Sequence, residues 1–135
     1  MAPPGKRNPT AAEQFVHIRR WHGDAALRHG VITLSLVPSA TSRTYVVAID
    51  YSRMPRRPSV NSLRPRIAPG APHLYRPNLG LDLCLFSRDE WDASMWFMET
   101  IVPWTEEWLY YYERWLEGEQ WGGPEAPHGR GPKQP

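Results

Sequence analysis

HLYRPNLGLDLCLFSRDEW, residues 73–91, holds the protein's only cysteine, Cys84, between Leu83 and Leu85. A single cysteine forms no internal disulfide and excludes a four-cysteine zinc site. Taken alone, a thiol between two leucines reads most simply as a small buried hydrophobe. Read as a nucleophile, it has His73 and Asn78 upstream and Asp82, Asp89 and Asp92 around it. Exposed acids near a helix start serve more often as caps, so none of the three aspartates is carried as catalytic. A cysteine hydrolase with His73 as base would need an orienting third residue, which the sequence does not identify.

On the N-terminal side, Thr10 and Glu13 have capping-box spacing. Phe15, Ile18, His22 and Ala25 then recur at helical intervals as far as Gly30, which predicts a helix over residues 11–29. VITLSLVP (31–38) and TYVVAIDY (44–51) alternate with period two and predict an antiparallel hairpin, with Pro38 to Arg43 as its turn. Prolines at 55, 58, 65, 69 and 72 forbid a long central strand and leave room for one short strand at 59–64. Arg53, Arg56, Arg57, Arg64 and Arg66 fall in this crossing and read as a solvated loop. Removing Arg56 and Arg57 is then expected to cost no more than about 0.5 kcal/mol.

On the C-terminal side, Ser94 is placed to cap a helix carrying Met95, Phe97, Met98, Ile101 and Val102, which Pro103 should break. A second helix should follow, with Trp104, Trp108, Tyr111, Tyr112 and Trp115 on one face and Gly118 as its stop. Helical spacing makes this stripe core packing. Glu106, Glu107, Glu113 and Glu117 on the intervening faces argue against a nucleic-acid stacking platform, so nucleic acid is not an expected partner.

Strands followed by helices predict an α+β domain. Residues 1–9 and 122–135, rich in Pro and Gly, are expected to be disordered tails around one domain at 10–121. No apolar run or leader points to a membrane or to export, so the expected location is the cytoplasm. The formal charge is a modest +2, and His17 and His22 lack the helical spacing of a metal pair. No metal or cofactor is expected.

The order of His73, Asn78, Cys84, Leu85 and Trp91 resembles the ubiquitin-conjugating enzymes, in which a His-Pro-Asn segment precedes an active cysteine and a tryptophan follows. The resemblance spans roughly residues 10–120 and is closer still to bacterial relatives in anti-phage (CBASS-type) operons that encode a cyclic-nucleotide-making nucleotidyltransferase. HLY, LCLF, EW, PWTEEWLYYYERWL and QWGG carry that closer likeness. It implies the ubiquitin-conjugating (UBC-like) fold: an N-terminal helix, an antiparallel β-meander, a loop holding the active cysteine, and C-terminal helices. It also implies that Cys84 takes a protein C-terminus as a thioester and passes it to an amine. The carried protein would be the operon's CD-NTase (cGAS-like) nucleotidyltransferase or a ubiquitin-like protein, with activation by a separate enzyme. His73 and Asn78 would then stabilise the oxyanion, although here they are separated by Leu74, Tyr75, Arg76 and Pro77. The other reading is a UBC-like binding module without catalysis.

Overall fold

The computed structural model describes residues 7–54 and 56–122. Helix α1 (Ala11–Arg19) begins at the expected capping box: Glu13 N–H donates to the Thr10 hydroxyl, and Thr10 N–H donates to the Glu13 carboxylate. Arg7 forks onto both oxygens of that carboxylate at 2.7 Å. Of the expected tails, residues 1–6 and 123–135 lie outside the described residues.

The helix ends well before residue 29, which corrects the sequence expectation. Ala26–Arg28 instead forms strand β1, paired antiparallel with β2 (Val31–Leu36) across a two-residue turn. Both turn residues, His29 and Gly30, have positive φ (50° and 78°), as a tight hairpin turn between twisted strands requires. The glycine read as a helix stop is therefore a hairpin turn, because β2 offers Ala26–Arg28 a pairing partner that helical spacing cannot reveal.

Strands β3 (Tyr45–Asp50) and β4 (Ser59–Arg64) complete an antiparallel meander in the order β1-β2-β3-β4. Register places Ile32 opposite Ile49, Leu34 opposite Val47, Leu36 opposite Tyr45, and Ile49 opposite Val60. All of these side chains are buried on one face. That face joins Ile18 of α1 in a single core.

The region after Cys84 also departs from expectation. Ser94 caps no helix; its hydroxyl turns back to Asp92, and Phe97–Glu99 forms a single 3-10 turn. One helix, α2 (Ile101–Leu116), then runs straight through Pro103. Pro103 lies in the first turn, where a backbone N–H has no intrahelical partner to lose, so it is tolerated instead of breaking the helix. Trp108 and Tyr112 are buried, and Trp104 and Trp115 pack against the core, so the aromatic stripe is packing. Gly118, at φ 98°, follows the helix end.

Polar contacts lock the layers together. Gln14, wholly buried on α1, donates to Met95 O at 2.9 Å and accepts from Phe97 N–H at 2.8 Å. Glu113 of α2 accepts from Ser42 (2.6 Å) and Tyr45 (2.8 Å), and the Tyr112 hydroxyl accepts from Ala68 N–H at 2.9 Å.

Candidate active site

Cys84 follows directly on a small second hairpin that the sequence reading did not anticipate. Strand β5 (Leu74–Arg76) pairs antiparallel with β6 (Leu81–Leu83), joined by a 3-10 turn at Pro77–Leu79. Leu74 and Leu83 face each other and are both buried, so they anchor the open end of the hairpin in the core. Cys84 itself lies outside any strand, as expected.

Two devices fix the hairpin. At its tip, Gly80 takes φ 68°, and a Cβ there would stand 2.3 Å from the Ile67 carbonyl oxygen, so only glycine fits against the proline-rich crossing. On its flank, Asp82 also adopts positive φ (66°) and is clamped to β4: its N–H donates to Asn61 Oδ1 at 2.6 Å, and its carboxylate accepts from Asn61 Nδ2 at 3.1 Å. Arg76 pairs with the other Asp82 oxygen. This aspartate therefore positions the hairpin.

His73 sits at the open end, also with positive φ (60°). Its carbonyl accepts two hydrogen bonds, from Cys84 N–H at 3.0 Å and from Trp108 Nε1 at 3.1 Å, while its ring stacks edge-on against Trp121 at 5.0 Å. Helix α2 and the chain after it thus hold the backbone of the cysteine. Asn78 lies in the turn at the opposite end and is exposed. The run from Leu81 to Cys84 spans roughly 10 Å at about 3.3 Å per residue, and the turn that holds Asn78 lies beyond its far end. The structure therefore brings His73 to Cys84 through its backbone and leaves Asn78 apart from it.

The side chain that meets the sulfur is one the sequence reading passed over. The Tyr75 hydroxyl lies close enough to the Cys84 thiol to offset part of the rise in its pKa, and it donates to Phe86 O at 3.3 Å. Its one proton goes to the carbonyl while the thiol is protonated, and can turn to sulfur when a thiolate forms. Strand alternation carried the signal: Leu74 points inward, so Tyr75 must point out, on the side where the chain leaves Cys84.

Only 5% of Cys84 is exposed. Burial first, and the Asp82 carboxylate second, push its pKa from 9.0 up to about 12, against a smaller lowering by the Tyr75 hydroxyl. The resting group is a neutral thiol.

An open groove of about 630 Å³ runs from Tyr75 past Pro58, Phe86 and Ser87, with Arg57 and Arg88 in its walls. The Arg57 guanidinium lies over the Phe86 ring (5.1 Å) and the Trp91 ring (5.9 Å), and that of Arg56 over Tyr51 (5.5 Å). The loop reading of the arginines is thereby refined: Arg56 and Arg57 are exposed but stacked on aromatic faces, and Arg64 ends strand β4.

Among the described residues no helix is long and apolar enough to cross a membrane. A family model described as "Type II CBASS E2 protein" matches residues 12–129. No curated protein matches the chain.

Proposed function

Since the chain belongs to the type II CBASS E2 family, we propose that Cys84 accepts a protein C-terminus as a thioester and passes it to an amine in bacterial anti-phage defence. The family gives a ubiquitin-conjugating-like role in CBASS and partners encoded in the same operon. The finer reading rests on one observation: Tyr75, whose hydroxyl acts on the lone thiol, also lines an arginine-walled groove. In this reading the carried protein is the operon's CD-NTase (cGAS-like) nucleotidyltransferase or a ubiquitin-like protein, delivered in the cytoplasm as a thioester of a separate activating enzyme.

The Cys84 sulfur attacks the incoming thioester carbonyl, its proton passing to solvent. A new carbon–sulfur bond forms, the old one breaks, and the activating enzyme's thiolate leaves. An amine then attacks the Cys84 thioester, a nitrogen–carbon bond forms as the carbon–sulfur bond breaks, and the departing Cys84 sulfur takes up, through solvent, the proton that the amine loses. Tyr75 stabilises that sulfur at both steps. His73 is the proposed oxyanion donor, and Asn78, at the opposite end of the hairpin from the cysteine, is the comparison. Removing a true donor lowers discharge by roughly 10²–10³-fold while leaving loading intact, so discharge rates of His73→Ala and Asn78→Ala assign the role.

Deep burial of Cys84 and its raised pKa also suit an inert thiol, and so favour a UBC-like binding module as the second reading. Incubation with the operon's partner protein and activating enzyme decides between them. The proposal predicts an adduct with the mass of the two chains minus water. Added thiol should release it, and Cys84→Ser should abolish it or turn it into a thiol-resistant oxyester. If Cys84→Ser forms the same adduct as the wild type, the thiol is structural and the binding module stands.

A further inference from the structure

Resting on the reading of Cys84 as acyl acceptor, we propose that the adjoining groove selects a C-terminal tail bearing a carboxylate side chain a few residues before its terminal carbonyl, with Arg57 and Arg88 as the selecting groups. The groove begins at Tyr75, whose hydroxyl lies close to the Cys84 thiol, and its walls include two cations and no acid. Its apolar lining comes from Phe86 and Pro58. The Arg57 guanidinium lies over the Phe86 and Trp91 rings, 5.1 and 5.9 Å from their centroids, which holds it at the groove. A guanidinium offers paired donors that match the two oxygens of a carboxylate better than a single point charge.

Neither arginine has a carboxylate partner in an ion pair on the groove side. Among the described residues Arg7, Arg76 and Arg114 form ion pairs with carboxylates, whereas Arg57 and Arg88 form none. Glu90, close by in sequence, accepts from Ser87 N–H through Oε1 at 2.7 Å and is not among the groove's lining residues. Two unpaired cations beside an apolar surface favour an anionic ligand with an apolar backbone path, such as a peptide tail. Extended chain advances about 3.3 Å per residue, so the short path from Cys84 to Arg88 spans at most about 13 Å. This places the carboxylate two to four residues before the carbonyl that reaches sulfur.

The test is equilibrium binding by fluorescence anisotropy at low salt, using fluorescein-labelled peptide amides that cannot acylate the cysteine. The expected result is that Ala-Ala-Glu-Ala-Gly-Gly binds the wild-type protein about tenfold more tightly than its Lys counterpart, with the preference shrinking as salt rises. Arg57→Glu with Arg88→Glu should reverse that preference. Arg88→Glu alone, which removes no ring contact, should reduce it while leaving the thermal transition in place. Equal affinity for the Glu and Lys peptides, including no measurable binding of either, overturns the proposal. So does tighter binding of a single-stranded thymidine oligonucleotide than of the Glu peptide, which would assign the groove to phosphate backbones. Neither of these outcomes touches the adduct experiment above, so the groove and the thioester stand or fall separately.

Discussion

The β2–β3 hairpin and the β5–β6 hairpin are both antiparallel pairs, yet they are specified in different ways. The first is held by alternation: every second residue, from Ile32 to Leu36 and from Tyr45 to Ile49, is buried, and a slip by one residue would turn all of them to solvent. The second is too short for alternation to fix it. Contacts from outside hold it instead: the Asn61 clamp on Asp82, the Ile67 carbonyl against Gly80, and Trp108 on the His73 carbonyl. Three of its residues, His73, Gly80 and Asp82, have positive φ. The sheet is built from its own sequence pattern, and the cysteine hairpin is built by its neighbours, which is how a short segment comes to hold Cys84 in place.

This contrast yields an ordered set of expectations. Gly80→Ala should have the largest effect, about 3 kcal/mol, because a left-handed position and a 2.3 Å clash with rigid backbone coincide there. Urea unfolding measures it. A loss below about 1 kcal/mol would mean that the hairpin tip is loosely held. Val47→Ala, in the self-specified sheet, should cost about 2 kcal/mol through lost burial, without altering the reactivity of Cys84 towards alkylating agents. Asn61→Ala should cost about 1–2 kcal/mol by freeing both the N–H and the carboxylate of Asp82. Unlike Val47→Ala, it should change the alkylation rate of Cys84, because the hairpin depends on that clamp. If the two variants shift alkylation equally, the distinction between the hairpins fails.

The protonation of Cys84 sharpens the same point. With its pKa pushed up to about 12, its alkylation rate should climb about tenfold per pH unit from pH 7 to 10 without levelling. A plateau near pH 9 would show a thiol exposed to solvent. Linkage gives the matching sign for stability. The folded pKa lies above the unfolded value, so this group's contribution is fully present below about pH 9 and is lost as pH rises towards about 12. The smallest effect belongs to Arg57→Ala, expected to cost about 0.5–1 kcal/mol through the loss of an exposed cation–π contact.

What could be read from the sequence follows the same division. The capping box at Thr10, the strands at β2, β3 and β4, and the aromatic stripe of α2 are local patterns, and each stands in the structure where it was expected. Strand β1 was hidden because Ala26–Arg28 acquires its state only by pairing with β2, and the His29–Gly30 turn resembles a helix end in sequence. Pro103 misled because its effect depends on whether it stands in the first turn of a helix or in its middle. At the site, the order of residues singled out Cys84, and His73 is joined to it by a backbone hydrogen bond. Tyr75 and Arg57 reach the groove only through the fold, one by strand alternation and the other by crossing from a distant loop. The buried Gln14 had no sequence signal, since its two partners lie across the molecule at Met95 and Phe97.

The central claim is that Cys84 carries an acyl group safely past water and yields it to an amine. The measurement that tests this most directly is the fate of the isolated adduct, followed by mass spectrometry with and without added lysine. The predicted result is an adduct that persists in buffer alone and, on addition of lysine, converts to the lysine amide of the carried C-terminus with free Cys84 regenerated. Decay to the free carboxylic acid at one rate, whether or not lysine is present, would contradict the account and identify Cys84 as a hydrolytic nucleophile.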